Sequence, residues 1–305
     1  MLDILTEIFS IVDLKSTRCT RLEAGGDWSF QLPQRDIIKL VTVLSGGCWM
    51  VQVDESPVWM SAGDTFLLCY SPSYTLASDP KLIPMESASV FDWKHNNVGH
   101  YNGRETVLLA ANFELDTENA SLLIDALPNF FLIAMSNPTA QKLKNTIEAL
   151  DQELQTSEFG FDLIRQHLAE ILLIQFLRAY SLLNGQSDNP VNWLGALGDS
   201  KIAAALHLMH NQIDHKWTVD SLAQAIGMSR SAFSAHFKKC VGIPPLQYLL
   251  RWRMQIARKK LVAGERVAGV AESVGYASES AFGYAFKKVF NQSPTGKAKI
   301  TDRHH

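Results

Sequence analysis

The sequence contains few cysteines, and none are spaced as ligands of a structural metal. Its 305 residues include four cysteines, namely Cys19, Cys48, Cys69 and Cys240. Paired zinc-binding cysteines usually lie about two to four residues apart, which these do not. Scattered cysteines outside a secreted disulfide scaffold are normally reduced thiols. We therefore expect four free thiols, no bound metal and no cofactor.

Long uninterrupted apolar runs are also missing. The start of the chain, MLDILTEIFSIVDLKS, lacks the basic end and continuous apolar core of a signal peptide, and its Leu, Ile and Phe spacing predicts a short amphipathic helix. The later segment ILLIQFLRAYSLL is interrupted by Gln175 and Arg178, so it is not expected to span a bilayer. We expect a cytoplasmic protein that has no membrane partner.

Catalytic motifs are missing as well. The sequence shows no nucleophile with a paired histidine, no Gly-rich phosphate loop and no metal-ligand set. His95 and His100 lie in an irregular stretch, but metal binding there would need more ligands than the stretch provides, which favours a solvated loop. An enzyme is therefore not expected.

Acidic residues are scarce in the last third of the chain. From Ser200 onward there are 16 Lys and Arg against 6 Asp and Glu, a net charge of +10, whereas residues 1–199 carry −13. A compact basic domain gains sequence-independent affinity for duplex DNA, because neutralised phosphates release counterions. The acidic half would be repelled by DNA, so we expect it to sense a signal or to dimerise.

The acidic half combines short strands with helices. Between about Cys19 and Leu115, β-branched and aromatic segments surround turns at Gly46-Gly47 and Gly63-Asp64, which favours a small barrel or jelly roll. Helical spacing follows at 121–127, 138–156 and 159–183. The polar stretch NGQSDNPVN, which ends at Asn192, is broken by Gly and Pro and predicts a linker.

The basic part contains one helical unit twice, about 49 positions apart. TVDSLAQAIGMSRSAFSAHFKKCVGIPP begins at Thr218, and VAGVAESVGYASESAFGYAFKKVFNQSP begins at Val267. Each copy predicts a short apolar helix, a Gly able to adopt a positive φ, and a Ser that caps a second helix. This pattern is a helix-turn-helix, made twice, and it indicates a protein that binds duplex DNA.

Each second helix should present one stripe to the core and another to solution. Phe233 and Phe237, like Phe282 and Phe286, lie four residues apart and are expected to face the core. The outward residues are Arg230, Ser231, Ser234, Ala235, Lys238 and Lys239 in the first copy, and Glu279, Ser280, Gly283, Tyr284 and Lys287 in the second. Because most of these side chains are small, we predict modest direct base readout supported by DNA shape. Tyr284 either probes the DNA or packs against the helix that joins the copies.

Residues 193–294 resemble the DNA-binding domain of the AraC family of transcription regulators. MSRSAF, YLLRWRMQIAR, VGYASESAF and FKKVFNQSP lie in the order and at the distances of that family. The resemblance implies that Ser231, Ser234 and Ala235 approach base edges. It places Arg230, Lys238 and Lys239 nearer the phosphates. After Pro294 the chain departs from the family, since TGKAKITDRHH stands where an aromatic residue and an Arg-rich tail are usual.

The segment PPLQYLLRWRMQIARKKLV is expected to be the connecting helix, with Leu249, Trp252, Ile256 and Leu261 in the core. Its basic residues are Arg251, Arg253, Arg258, Lys259 and Lys260. They are either merely solvated or part of a stiff spacer. Such a spacer would hold the recognition helices about one DNA turn, ~34 Å, apart.

The N-terminal half is similar to the cupin sensor domain of one AraC subgroup. The matching segments are VLSGGCWMVQV, AGDTFLL and LIDALPNFFLIA. Metal-binding cupins use a His-x-His pair, a Glu and a later His. In this sequence GCWMVQV has no His, and Tyr74 stands where the later His would be. The resemblance therefore implies a cupin-like domain without the metal cage.

Two kinds of signal are compatible with such a domain. Aromatic residues either fill the barrel or line a small-molecule pocket, for which Trp28, Trp49, Trp59 and Tyr74 are the candidates. Alternatively, Cys19 is a redox-sensitive thiol, because it lies in STRCTR, where positive charge would favour the thiolate.

These features predict an α+β protein of two domains. Residues 1–185 would form a cupin-like β-barrel with a helical extension, 186–199 a linker, and 200–305 an all-α domain with two helix-turn-helix units. We predict a sequence-specific transcription regulator, an activator that answers a small molecule or a redox signal and contacts RNA polymerase. The alternatives are a cupin-type enzyme or ligand-binding protein, and an architectural DNA binder that receives no signal.

A homodimer is predicted through the long helix at 161–183. One stripe comprises Leu163, His167, Glu170, Ile174, Leu177 and Ser181, and another comprises Leu168, Ile171, Leu172, Gln175, Phe176 and Ala179. Apolar residues thus occupy more of the circumference than one barrel face should need. The excess is covered either by a second copy or by the helix at 138–156.

Overall fold

A computed structural model describes residues 4–12, 14–34, 37–69, 73–90, 97–116, 120–156, 158–185 and 192–295. The chain folds into two compact units. The sheet unit contains Leu14–Leu115 and Leu127–Tyr180, and the helical unit contains Met1–Asp13, Asp116–Ala126 and Ser181–His305. The domain boundaries at 185 and 200 stay a prediction, since these units divide the chain at other positions.

The sheet unit is built from short strands. They are β1 (Leu14–Ala24), β2 (Ser29–Leu32), β3 (Ile37–Ser45), β4 (Gly47–Gln52), β5 (Val58–Ser61), β6 (Thr65–Cys69), β7 (Tyr74–Ala77), β8 (Met85–Glu86), β9 (Val98–Tyr101), β10 (Thr106–Leu115) and β11 (Phe130–Ile133). One sheet has the order β11-β6-β3-β10-β1-β9, and the other has the order β5-β4-β7-β2-β8. Among the described strands neither sheet closes on itself or on the other, so the strand-rich cupin-like domain is confirmed but the closed barrel is wrong.

Both predicted glycine turns are present, but they connect strands of different sheets. Gly46 separates β3 from β4, and Gly63 separates β5 from β6, with φ of +70° and +91°. A Cβ on Gly46 would lie 2.2 Å from the carbonyl oxygen of Glu105, so only glycine fits there. Each turn therefore connects one sheet to the other instead of closing a hairpin. The inner faces of the two sheets bury Val41, Met50 and Phe66.

The helices are α1 (Ile4–Ile11), α2 (Ser121–Ile124), α3 (Ala140–Leu154), α4 (Phe161–Gly185), α5 (Trp193–Ala196), α6 (Ser200–Asn211), α7 (Val219–Ala225), α8 (Arg230–Val241), α9 (Pro245–Val262), α10 (Val267–Ser273) and α11 (Glu279–Phe290). The short helix expected at the start of the chain is confirmed as α1. The spacing at 121–127, 138–156 and 159–183 is confirmed as α2, α3 and α4. No described helix combines the length and the apolar character needed to cross a membrane.

The long helix α4 is partly covered inside the sheet unit. Leu172, Phe176 and Leu177 are fully buried, and Phe131 of β11 packs edge-on against Phe176. The same side of α4 cannot also contact a second copy, so Phe176 is wrong as a dimer residue. The apolar residues of α4 that remain exposed are Leu163, Ile164, Ile171 and Leu182.

The predicted linker includes a buried helix. Residues 186–191 lie outside the described residues, but Trp193 and Leu194 in α5 are buried. The indole nitrogen of Trp193 donates a hydrogen bond to the carbonyl of Leu122 at 2.8 Å. Asn192 caps α5 by accepting a hydrogen bond from the backbone of Gly195. The Gly, Pro and polar residues before Asn192 therefore do not predict the structure of the residues that follow.

Candidate nucleic-acid interface

Two helix-turn-helix units are formed by α7 with α8 and by α10 with α11. The predicted caps are confirmed, since Ser229 accepts a hydrogen bond from the backbone of Ala232, and Ser278 accepts one from the backbone of Ala281. The turns are made by Gly227 and Gly275, with φ of +67° and +84°. An L-residue rarely adopts this conformation, which is why each motif has glycine at the turn.

The core-facing stripe of each recognition helix, α8 and α11, also matches the prediction. Phe233, Phe237 and Phe282 are fully buried, and Phe286 is 6% exposed. The rings of Phe233 and Phe237 meet edge-on with centroids 5.6 Å apart, and those of Phe282 and Phe286 are also 5.6 Å apart. The second pair belongs to a core that includes Met254 of α9. These contacts fix which side of each recognition helix can face a partner.

The opposite stripe of each recognition helix is open to solution. Every predicted contact residue is exposed or half-buried; the exposed residues are Arg230, Ser231, Ala235, Lys238, Lys239, Glu279, Ser280, Tyr284 and Lys287, and the half-buried ones are Ser234 and Gly283. Tyr284 is 76% exposed, so it does not pack against α9. Sequence reasoning missed Lys288, which is exposed and occupies the position in α11 that Lys239 occupies in α8. The duplication itself was the signal that could have found it.

Arg230 has a local partner in addition to any role at phosphate. Its guanidinium Nη1 lies 3.2 Å from a carboxylate oxygen of Asp220 on α7. Both side chains are more than half exposed, so the pair contributes little stability and can open when a phosphate competes.

The basic residues of α9 serve the internal structure of the helical unit. Arg253 donates hydrogen bonds to the carbonyls of Ile213 and His215, at 2.8 Å and 2.7 Å. The guanidinium of Arg258 stacks over the ring of Phe290, and Lys260 donates to the hydroxyl of Ser273. Of the two alternatives for these residues, mere solvation is therefore wrong. At about 1.5 Å per residue, the 18 residues of α9 span about 27 Å, a length suited to a spacer between grooves.

Comparison with known proteins agrees with this geometry. The cupin family matches residues 3–181, and a helix-turn-helix domain family matches residues 222–299. A protein of Streptomyces antibioticus named as an AraC-like transcription regulator is 34% identical over 96% of this chain and 97% of its own length. The chain belongs to the AraC-like family of transcription regulators. It is a DNA-binding regulator with an N-terminal cupin-like domain.

Other AraC-like relatives are similar over much of their length. The HTH-type transcriptional regulator AlkR of Acinetobacter baylyi is 30% identical over 96% of this chain and 98% of its own. The RCS-specific HTH-type transcriptional activator RclR of Escherichia coli is 29% identical over 70% of this chain and 72% of its own.

In this AraC-like chain the first helix belongs to the DNA-binding unit. Glu7 of α1 and Tyr248 of α9 hold the buried His210 of α6 between them, with a carboxylate oxygen 2.6 Å from Nδ1 and the phenol oxygen 2.9 Å from Nε2. The ring of Trp252 stacks on the imidazole at 3.9 Å between centroids. Lys259 adds a hydrogen bond to the carbonyl of Ser10. Helix α1 is therefore part of the core around the first helix-turn-helix.

This arrangement predicts that acid destabilises the helical unit. Burial lowers the pKa of His210 below its ordinary value of 6.5, Glu7 opposes part of this effect, and the nearby His207 adds to it. The unfolded chain then binds a proton at a higher pH than the folded chain does, so stability falls as the pH drops below about 6.5. We expect the thermal midpoint to fall on acidification more steeply for the natural chain than for His210→Gln. Equal slopes for the two proteins would contradict this origin.

The four aromatic residues proposed for a ligand pocket do not lie together. Trp28 and Tyr74 are buried in the core between the sheets. Trp59 is 47% exposed and meets Trp49 edge-on at 5.3 Å between centroids. Side chains alternate between the two faces of the sheet along β4 and β5. Met50 and Met60 point into the core, so the adjacent Trp49 and Trp59 point away from it.

Cys19 does not have the surroundings expected for a redox sensor. It is buried in β1, and burial raises the pKa of its thiol to about 12, although Arg165 lowers it in part. Its sulfur lies 3.9 Å from the carbonyl of Arg165. The neighbour Arg21 instead pairs with Asp151 at 2.7 Å and with Glu23. The local sequence suggested a thiolate. Arg18 is adjacent to Cys19 in the strand and so points to the opposite face, and Arg21, on the same face, is paired with the carboxylates of Asp151 and Glu23.

A buried carboxylate in the sheet unit was missed from the sequence. Glu23 of β1 is 2% exposed, forms ion pairs with Arg21 and Arg104, and lies beside the imidazole of His100. Nδ1 of His100 lies 2.8 Å from the carboxylate, so His100 belongs to β9 and to this cluster and is not a residue of a solvated loop. His95 lies outside the described residues. The pairing of β1 with β9 brings these residues together, and no local sequence signal indicates it.

Proposed function

We propose that this regulator acts as a transcription activator that reads two successive major grooves with α8 and α11. The observation that carries the proposal is the pair of solvent-facing stripes on two equivalent helices, each opposite a phenylalanine core. Ser231, Ser234 and Ala235 would approach base edges, with Lys238 and Lys239 at phosphates. In α11, Tyr284 and Glu279 supply the larger base contacts. Lys287 and the exposed Lys288 would serve at phosphates there.

Selection of bound fragments from the host genome by the intact chain tests this proposal. We expect enrichment of sites with two contact regions one helical turn apart, since α9, a helix about 27 Å long, joins the two helix-turn-helix units. Fragments enriched without any shared sequence would instead identify an architectural DNA binder. Transcription from an enriched site, measured with and without the protein, then distinguishes activation from repression.

Activation is supported by the name of the relative RclR, which is a transcriptional activator, and contact with RNA polymerase would follow from it. We place the protein in the cytoplasm, where bacterial regulators meet DNA. A role as an enzyme is not proposed, because the relatives reported above are named as regulators.

A small-molecule effector is proposed as the signal. A cleft of about 880 Å³ in the helical unit supports it. Leu246, Leu250 and Phe290 provide apolar lining, and Arg251, whose Nη1 lies 2.8 Å from a carboxylate oxygen of Asp125, provides polar lining. The cleft lies between α2, α9 and α11, so an occupant would touch the helix that spaces the recognition helices. The four aromatic residues are not proposed as the effector site, because Trp28 and Tyr74 are buried in the core.

A homodimer through the exposed side of α4 is proposed as the assembly. Ile164 and Ile171 are 45% and 46% exposed and lie two turns apart on one side of the helix. Two copies would place four recognition helices on DNA and favour repeated half-sites. We expect the double change Ile164→Glu and Ile171→Glu to convert a dimer to a monomer in sedimentation. The matched control is Ile83→Glu, at a 90% exposed apolar position of the same unit. If the natural chain sediments as a monomer at micromolar concentration, the dimer proposal is wrong.

A further inference from the structure

Three potential metal ligands meet on one side of the first recognition helix. His236 and Cys240 lie one turn apart on α8, and Asp199 caps the start of α6. The imidazole nitrogen, thiol sulfur and carboxylate oxygen all lie within 4.8 Å of one another. Imidazole, thiolate and carboxylate are the three protein ligand types that zinc accepts.

The separations of these atoms are close to those around one ion. The sulfur of Cys240 lies 3.8 Å from Nδ1 and 3.9 Å from Nε2 of His236. Bonds of about 2.0–2.3 Å in a tetrahedral site put ligand atoms about 3.3–3.6 Å apart. Nε2 of His236 lies 2.6 Å from Oδ2 of Asp199, where the two share a hydrogen bond. If an ion replaced that hydrogen, the nitrogen of His236 and the oxygen of Asp199 would have to move apart by less than about 1 Å.

The surroundings hold the ligands while leaving an entry path. Oδ1 of Asp199 accepts hydrogen bonds from the backbone of Lys201 and Ile202, both at 3.0 Å, which leaves Oδ2 to face His236. Partial burial by itself would raise the pKa of Asp199, but those hydrogen bonds and His236 lower it, so the group is a carboxylate at neutral pH. The side chains of His236 and Asp199 are 38% and 29% exposed, and Cys240 is buried beneath them.

We propose that Asp199, His236 and Cys240 bind a single zinc ion, with water as the fourth ligand. His236 binds through Nε2, and the hydrogen that it shared with Asp199 moves by exchange with solvent to Nδ1. Asp199 binds through Oδ2, and Cys240 binds as the thiolate. One proton leaves the Cys240 thiol for solvent when the ion enters. Because this proton must leave before the thiolate can bind the ion, metal affinity increases with pH.

The site would fix the recognition helix without occupying its DNA-facing stripe. At 100° per residue, His236 and Cys240 lie on nearly the opposite side of α8 from Ser234 and Lys238. Asp199 immediately precedes α6, so the ion would tie the start of one helix to the middle of another. This is a positioning role and does not depend on which operator the protein reads.

Titration of the intact, reduced protein with Co²⁺ as a spectroscopic substitute for Zn²⁺ tests the proposal. We expect one equivalent to give a thiolate charge-transfer band and the d–d absorption of a four-coordinate ion, both removed by one equivalent of Zn²⁺. Cys240→Ser should abolish the charge-transfer band, and Asp199→Asn and His236→Gln should each weaken binding by at least about 10-fold. Asn also caps helices, so Asp199→Asn retains the start of α6.

The control variant is Cys19→Ala, which removes a buried thiol of the sheet unit and should leave the titration unchanged. Circular dichroism of each variant confirms that it is folded. Binding without a thiolate band, or binding equal in Cys240→Ser and the natural chain, assigns the ion elsewhere, for example to His304 and His305, and overturns the proposal. No binding at micromolar metal also overturns it and leaves the Asp199–His236 hydrogen bond as a purely structural contact.

Discussion

Gly275→Ala is expected to destabilise the helical unit by about 2–5 kcal/mol. A Cβ at this position would lie 2.6 Å from the backbone carbonyl oxygen of Asp214 and 2.9 Å from the guanidinium of Arg253. The positive φ of +84° costs about 1–2 kcal/mol for an L-residue, and the overlap with backbone adds about 1–3 kcal/mol. Because the carbonyl cannot rotate away like the end of a side chain, the turn of the second motif must shift. Denaturant unfolding followed by circular dichroism measures the loss.

Two matched glycine changes separate the cost of the positive φ from the cost of the close contact with Asp214. Gly227→Ala has the same type of φ, but its Cβ would meet only the flexible Lys201 ammonium at 3.5 Å, so it should cost about 1–2 kcal/mol. Gly269→Ala in α10 meets nothing within 4 Å and should be neutral or stabilise by up to about 1 kcal/mol. Equal losses at Gly275 and Gly227 would falsify the argument that close approach to Asp214 dominates.

The double change Lys238→Ala and Lys287→Ala is expected to weaken DNA binding roughly 60-fold at about 0.1 M salt. Each lysine is exposed at the equivalent place on its recognition helix. Loss of one phosphate contact lowers the slope of log affinity against log salt by about 0.9, so two contacts lower it by about 1.8. The loss should be the same on every DNA sequence, because phosphates carry no base information. Fluorescence anisotropy over a range of salt concentrations measures both the loss of affinity and the change in slope.

Lys144→Ala is the control for removal of one positive charge away from the recognition helices. Its side chain is 48% exposed on α3 in the acidic sheet unit, where it pairs loosely with Glu148 at 3.8 Å. We expect no change in slope. Tyr284→Ala should instead alter the preference among base sequences with little change in slope. A reduced slope for Lys144→Ala would show that overall net charge, and not contact at the recognition helices, controls the salt dependence.

The sequence predicted the DNA-binding features because they are local and repeated. Spacing of four residues identified Phe233 and Phe237 as core, and the duplication identified Phe282 and Phe286 with the same roles. Cap and turn residues act within a few positions of the chain, so Ser229 and Gly227 could be assigned without tertiary information.

The sensor half was predicted less well because its properties depend on strand pairing. The single-residue alternation of a strand places Trp49 outside and Met50 inside, and the sequence alone did not show which register the core selects. The same difficulty applies to Cys19, whose sequence neighbours are basic but whose thiol is buried. Closure of the sheets is likewise a matter of which strands pair at the edges.

By itself the sequence determined the paired helix-turn-helix units and the outward stripe of each recognition helix, because helical periodicity and capping operate over short distances. The family followed from the resemblance of these segments to known regulators. Only the tertiary structure decided that Glu7 meets His210, that Asp199 meets His236, and that Glu23 is buried beside His100. These pairs are separated by 203, 37 and 77 positions along the chain. No local pattern specifies such partners, since packing of distant elements brings them together.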